Sequence, residues 1–236
     1  AWFAHMIPNC LAYAQAEHAK GQPIVGIMCE YTPRELIMGA GAVPVCLCGG
    51  SADTIPPAEE HLPAILCPLI KSTYGYHVTG SNPFLEMADL IVGENTCDGK
   101  KKMYELMAAR RAMHVLDLPQ RQQGGAALAY WEGELHGLKA ALEERFDVVI
   151  TDDGLRESIA AMNRERDLRR RLAELMQQDP PPMTGRQLLD FKSSISASPC
   201  DLKQYEAALA RFADRAPGSK NGEVRALLTG VPLPHG

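Results

Sequence analysis

Pro23-Ile-Val-Gly-Ile-Met-Cys-Glu-Tyr-Thr-Pro-Arg-Glu-Leu-Ile37 decides the fold. Its first half, Ile24–Met28, is a short apolar run with the β-branched composition of a buried strand. Its second half starts a helix. Thr32 is placed to cap it, Pro33 takes the first helical position, where a missing N–H costs nothing, and Glu35 takes the third. Gly39 and Gly41 end that helix. A strand that yields to a helix within so few residues is a βα unit, and Cys29 stands at the handover.

The same pattern repeats outward. Val43–Cys48 reads as the next strand, closed by Gly49-Gly50. Leu62–Leu66 reads as a short strand that runs into Cys67-Pro68, again with Pro at a helix start. Asp89–Val92 is a buried strand followed by a helix over Lys100–Arg110, and Met113–Pro119 is one more strand, ended by its proline. Residues 5–20 predict a leading helix. Strands alternating with helices at this spacing predict an α/β fold, a Rossmann-like parallel sheet with right-handed crossovers over residues 1–119. No Gly-x-Gly-x-x-Gly follows a strand, so a dinucleotide site is unsupported.

Beyond Pro119 the periodicity changes. Leu128, Trp131, Leu135, Leu138 and Leu142 recur at helical spacing within 126–146. A long amphipathic helix is predicted over Asp153–Gln178, with further helices over Thr184–Ser194 and Asp201–Ala213. Residues 120–220 are thus a helical connecting segment. Residues 221–236 read as the first strand and loop of a second, truncated α/β domain. A strand that opens a sheet needs a neighbour to pair with, so a longer parent chain is expected.

Composition narrows the function. The chain has 236 residues, 46% hydrophobic and 22% charged, enough for a real core. A net charge of −5 argues against nucleic-acid binding, which needs a basic face. No apolar run reaches the roughly 20 residues of a membrane span, and no signal peptide is apparent. A cytoplasmic protein without a membrane partner is expected. No Gly-x-Ser-x-Gly and no P-loop is present, so neither serine hydrolysis nor nucleotide hydrolysis is supported.

Seven cysteines are too odd a number, in too long a chain, for a secreted disulfide framework. Three of them, Cys29, Cys67 and Cys97, each follow an apolar run and precede a helix-forming stretch. In an open α/β sheet such positions gather at the carboxyl edge, where these folds bind ligands. Three thiolates at one edge point to a soft metal, and above all to an iron–sulfur cluster. Helix starts at Cys67 and Cys97 favour thiolate, and Gly99 allows close backbone approach. Core packing is the plain alternative for any one cysteine, but gives no reason to choose Cys three times over. Zinc is the rival metal, with Cys46, Cys48 or His61 as its fourth ligand. Cys48, nearer its strand end, is the second-tier ligand, while Cys10 and Cys200 read as structural.

Other candidates surround these thiols. Glu30, Tyr31 and Arg34 follow Cys29 and could serve as hydrogen-bonding groups or a proton relay, or be a solvated helix start. Lys71 and Ser72, with Tyr74, Tyr76 and His77, follow Cys67 and could bind an anionic substrate or shape a loop around a cluster. Lys100-Lys-Lys102 could attract phosphate or an acidic partner, or be a charged helix face.

Gly26-Ile-Met-Cys-Glu-Tyr-Thr-Pro-Arg-Glu-Leu-Ile37, Gly39-Ala-Gly-Ala-Val-Pro-Val45, Leu66-Cys-Pro-Leu-Ile-Lys-Ser72 and Thr96-Cys-Asp-Gly-Lys-Lys101 together resemble the 2-hydroxyacyl-CoA dehydratase and benzoyl-CoA reductase family of iron–sulfur subunits. The resemblance spans residues 20–236. It implies a two-domain subunit with a [4Fe-4S] cluster between Rossmann-like domains. It also implies an ATP-dependent activator protein that delivers one low-potential electron, and a homodimer or a heterodimer with a related subunit. In the dehydratases a ketyl radical then permits loss of water from a 2-hydroxyacyl-CoA. By resemblance Cys67 and Cys97 match the N-terminal cluster ligands, and a further ligand comes from the C-terminal domain. Cys29 in Cys-Glu-Tyr-Thr-Pro-Arg-Glu-Leu resembles the double-cubane cluster subgroup, linked to ATP-driven reduction of small molecules. The alternatives are a dehydratase subunit, a non-catalytic scaffold subunit, and a zinc-binding scaffold.

Overall fold

The computed structural model describes residues 2–213 and 226–227. Four strands form one sheet: β1 (Ile24–Ile27), β2 (Val43–Cys46), β3 (Leu90–Glu94) and β4 (Met113–Leu116). All three pairings are parallel and the order is β2-β1-β3-β4. A parallel sheet must be covered by the helices of its crossovers. Accordingly the central strands β1 and β3 are buried at every residue.

The crossovers follow the order expected of a Rossmann-like α/β domain. The first helix, α1 (Met6–Ala19), precedes the sheet, and α2 (Arg34–Gly39) joins β1 to β2. Helices α3 (Ile55–Glu59), α4 (Pro68–Thr79) and α5 (Pro83–Met87) lie between β2 and β3, and α6 (Asp98–Ala108) lies between β3 and β4. Helix α7 (Gly125–Phe146) then packs back on β4 and α2. One sheet face carries Val25, Ile27, Leu90, Val92 and Leu116 against Leu36 and Ile37 of α2 and Leu138 and Leu142 of α7. Opposite them, the Tyr104 ring of α6 lies directly on the backbone of Gly93, where a Cβ would come within 2.6 Å of the ring.

From β1 the chain steps one way to β2, then returns past β1 to lay β3 on its other side. The junction of β1 and β3 is therefore the topological switch point of the sheet. At such a point the connecting loops diverge and leave a crevice outside the carboxyl ends of the strands.

Among the described residues, 11–158 form this sheet unit, and 159–213 form a second unit together with 2–10. The segment read as a helical connector is shared between them, because α7 belongs to the sheet unit. Helix α8 (Asp152–Glu174) supplies Leu168 and Leu172 to the second unit's core, where they meet Met183, Leu202, Tyr205 and Phe212. Phe3 stacks on Tyr205 with ring centroids 4.8 Å apart. Thr184 and Gln187 form a reciprocal capping box on α9 (Gly185–Asp190), and α10 (Pro199–Ala213) completes the unit.

Three local expectations are corrected. Leu62–Leu66 is not a strand. Pro63 offers no donor, Ile65 is 94% exposed, and the segment closes on itself through Leu62 N–H to Ala58 and Leu66 N–H to Pro63. Helix α2 starts at Arg34, with Pro33 rather than Thr32 in the capping position. The helix expected over Thr184–Ser194 stops at Asp190, where Phe191 leaves helical geometry. The strand expected within 221–236 lies outside the described residues apart from 226–227.

Candidate functional site

Strand register defines the site. The pairs Ile27 with Cys46 and Ile27 with Val92 are the last of the β1–β2 and β1–β3 ladders. The ladder continues one residue further through Leu47 N–H to Ile27 and Met28 N–H to Val92, at 2.9 and 3.0 Å. Cys29 and Cys48 each lie two residues past the ends of β1 and β2, and Glu94 ends β3 opposite Leu116 of β4. Cys29 and Glu94 flank the switch point itself.

Cys67 and Cys97 come from the crossovers. Cys97 directly precedes α6 and Cys67 directly precedes α4, and neither helix start has a side-chain cap. The first-turn N–H groups are thus not taken up by a capping oxygen, and the positive ends of both helix dipoles lie at the two sulfurs' own residues. Helices α4 and α6 pack together. Their contact is close because Gly99 has no side chain: a Cβ there would lie 2.7 Å from Ile70 Cδ1 and 3.1 Å from Leu66 Cδ2. Gly99 is two residues after Cys97, and Leu66 immediately precedes Cys67. Cys67 therefore reaches the neighbourhood of Cys97 through helix packing and not from a strand end.

All seven cysteines are thiols. Cys29 and Cys46 are half-buried, and Cys48, Cys67 and Cys97 are exposed. Although Cys48 as a residue reaches the surface, its sulfur is enclosed and donates to the Met28 carbonyl at 2.7 Å. Burial pushes this thiol up to about 12, helped by Cys46, Cys29 and Glu94 and opposed by Lys100. Lys100, in the first turn of α6, lies beside Cys29. Burial acts to lower its pKa, but Cys29, Cys48 and Glu94 outweigh that, and the ammonium is held above its ordinary value. Arg34 pairs with Glu30 at 2.9 Å and its guanidinium reaches Cys46 Sγ at 4.0 Å.

The remaining candidates divide. Tyr31 is 61% exposed beside Cys29. Lys71 is buried and committed to Glu59 at 2.5 Å and to the Ala64 carbonyl at 2.6 Å, so it fixes the turn before Cys67. Ser72 is buried and donates to Leu69 within its own helix. His61 sits edge-on to Tyr74, with ring centroids 5.9 Å apart. Among the described residues no group of three or more His, Cys, Asp or Glu side chains is close enough to hold a metal ion.

Sequence reasoning missed Glu94 and Thr32. Glu94 is fully buried at the end of β3 and Thr32 is 2% exposed. Thr32 Oγ1 donates to Glu94 Oε1 at 2.6 Å, while Glu94 Oε2 and the buried Tyr104 hydroxyl have no protein partner. Tyr104 lies well above its ordinary pKa, first through burial and then through Glu94. A charged residue ending an otherwise apolar strand was the available signal.

The family described as 2-hydroxyglutaryl-CoA dehydratase, D-component, matches residues 29–236, nearly all of the chain from the first edge cysteine onward. The chain belongs to this family. An Escherichia coli (strain K12) protein named "Putative dehydratase subunit YjiM" is 46% identical over 170 residues, which cover 72% of this chain and 44% of the relative. Lactoyl-CoA dehydratase subunit beta of Anaerotignum propionicum is 29% identical over 68% of this chain and 42% of its own length. A benzoyl-CoA reductase subunit of Thauera aromatica is 28% identical over 61% and 38%. The matched region thus spans less than half the length of these curated relatives. Family membership and a Rossmann-like sheet agree with the reading of the four motifs, and no helix among the described residues is long and apolar enough to cross a membrane.

Proposed function

We propose that this chain is the cluster-binding N-terminal part of an iron–sulfur subunit, of the double-cubane type, that performs reductive chemistry with low-potential electrons from an ATP-dependent activator. What supports the proposal is that Cys29 and Cys48 lie just past the carboxyl ends of β1 and β2, and Cys67 and Cys97 at the uncapped starts of two helices that pack together. Thiolates are the donors such a cluster takes, and in that chemical sense the residues fit. Ligands from beyond the described residues complete the cage. When bound, the cluster supplies a site that stores and passes single electrons at low potential.

The chain's own residues do the rest. Cys67, Cys97, Cys29 and, in second place, Cys48 hold iron. The α4 and α6 dipoles and the Lys100 ammonium offset the negative charge of the sulfur ligands. Tyr31 and the Glu30–Arg34 pair border Cys29 on the exposed side and are placed to meet a substrate or a proton. We assign the assembly as a homodimer or heterodimer with a related subunit, in the cytoplasm.

A second reading is supported by the names of the relatives. A dehydratase subunit would use the same edge to remove water from a 2-hydroxyacyl-CoA. Iron and acid-labile sulfide per chain, on full-length protein purified without oxygen, separate the two. About eight iron atoms support the double cubane and about four the dehydratase type. Zinc, or no metal, refutes both.

A further inference from the structure

The strongest unassigned feature is the buried carboxyl of Glu94. It continues the row of Leu90 and Val92 on one face of β3, where alternation would place another apolar residue. Instead the row ends in a fully buried Glu, two residues past Val92, the last residue of β3 paired with β1. Burying a carboxyl group costs free energy unless its oxygens are satisfied. Here one oxygen takes the Thr32 hydroxyl at 2.6 Å and the other has no protein partner. Thr32 gives up the capping role that its place before Pro33 invites, so the hydroxyl is directed at Glu94 at the expense of α2.

The bond joins the turn after β1 to the last residue of β3. Thr32 is three residues after Cys29, and Glu94 three residues before Cys97. A single short hydrogen bond thereby ties the turn after β1 to the end of β3, just before the Cys97 turn. Lys100, in the first turn of α6, carries a positive charge beside Cys29 and Glu94. We propose that Glu94 is a positioning residue, which through Thr32 fixes the Cys29 turn against the Cys97 turn and so sets the disposition of the edge thiols. Its role in cluster binding rests on the function proposed above, but its role in holding Cys29 does not.

The test separates those two roles. The full-length protein, freed of metal, is treated with N-ethylmaleimide, and the alkylation rate of Cys29 is read by peptide mass spectrometry relative to that of exposed Cys200. Thr32→Val keeps the buried volume but removes the donor. It is expected to raise the relative Cys29 rate by about tenfold, the opening expected when a hydrogen bond to a carboxylate is lost. Thr32→Ser and Glu94→Gln each retain a donor–acceptor pair and are expected to stay within about twofold of the native rate. An unchanged Cys29 rate in Thr32→Val, with native circular dichroism, overturns the proposal, as does a Glu94→Gln rate equal to that of Thr32→Val. After iron reconstitution, the same Thr32→Val protein is expected to release iron to a chelator faster than native. If native protein takes up no iron yet the alkylation pattern holds, the positioning role stands and the cluster reading falls.

Discussion

Gly75 offers the sharpest test of how the Cys67 helix is seated. It lies mid-way along α4, pressed against the single helical turn at Ala52–Thr54. A Cβ at this position would stand 1.8 Å from the Thr54 carbonyl oxygen and 2.6 Å from its carbon. Both are backbone atoms, so no rotamer can relieve the clash, and one element must retreat by about 1.5 Å to reach ordinary contact. In an unpacked helix, Gly→Ala gains about 1 kcal/mol. Here overpacking against backbone costs about 3 kcal/mol, and retreat strains the 2.9 Å bond from Thr54 Oγ1 to the Ser72 carbonyl, worth about 1 kcal/mol. Gly75→Ala should therefore destabilise the sheet unit by about 3 kcal/mol. The chain has two tryptophans, and only Trp131 lies in this unit. Urea unfolding followed by Trp131 fluorescence in a Trp2→Phe background reports the unit alone. Gly133→Ala in α7, where a Cβ meets nothing within 4 Å, should instead stabilise by about 1 kcal/mol. If Gly75→Ala proves as stable as the parent, α4 is not seated as described and the approach of Cys67 to Cys97 loses its footing.

Cys97→Ser should remove most of the cluster absorbance of protein purified without oxygen, and unchanged iron content would strike Cys97 from the ligands. In metal-free protein, the Cys48 thiol is raised from 9.0 to about 12 first by burial, so the folded state holds its proton longer than the unfolded chain does. Its stabilising contribution is complete below pH 9 and is lost as the pH rises from 9 through about 12. Urea titrations across that window should show a steeper alkaline loss for native than for Cys48→Ala, and parallel curves would contradict the raised thiol. Thr184→Ala removes the hydroxyl that accepts from the Gln187 N–H in the α9 capping box, while the backbone N–H of residue 184 can still donate to Gln187, and should cost about 1 kcal/mol, measured as the thermal midpoint of the second unit.

Much of the sheet was legible because each strand carried its own boundary. Ile24–Ile27 and Leu90–Glu94 are apolar runs followed by helix-start chemistry, and local composition was enough to place them. Leu62–Leu66 misled for the same reason. Its composition is apolar, but nothing local states that a strand needs a neighbour, and this segment has none. The thiols were legible one by one, but their arrangement was not. The placing of Cys48, Cys29 and Glu94 at one carboxyl edge depends on strand order, which arises only when β3 crosses to the far side of β1. Thr32 and Glu94 stayed hidden because their partnership spans two crossovers, and because Thr before Pro is also a sound capping signal. Lys71 looked available for an anion, and only the fold brings Glu59 to it.

The crowding at this edge bears on which chemistry the site serves. By resemblance, a single cubane needs only Cys67 and Cys97 from this part of the subunit. Cys29 and Cys48 are then surplus, and core packing would not keep one half-buried and the other at the surface, both beside Lys100. Ligation of additional iron gives all four thiols one purpose, and the two helix starts and the Lys100 ammonium supply the positive field that a larger, more negative assembly requires. The prediction that follows is selective. Cys29→Ser and Cys48→Ser should each lower iron per chain by up to half while leaving the absorbance that depends on Cys67 and Cys97. Loss of all iron in either variant would instead favour one cluster shared by every thiol at the edge, and no loss in either would return the site to the dehydratase type.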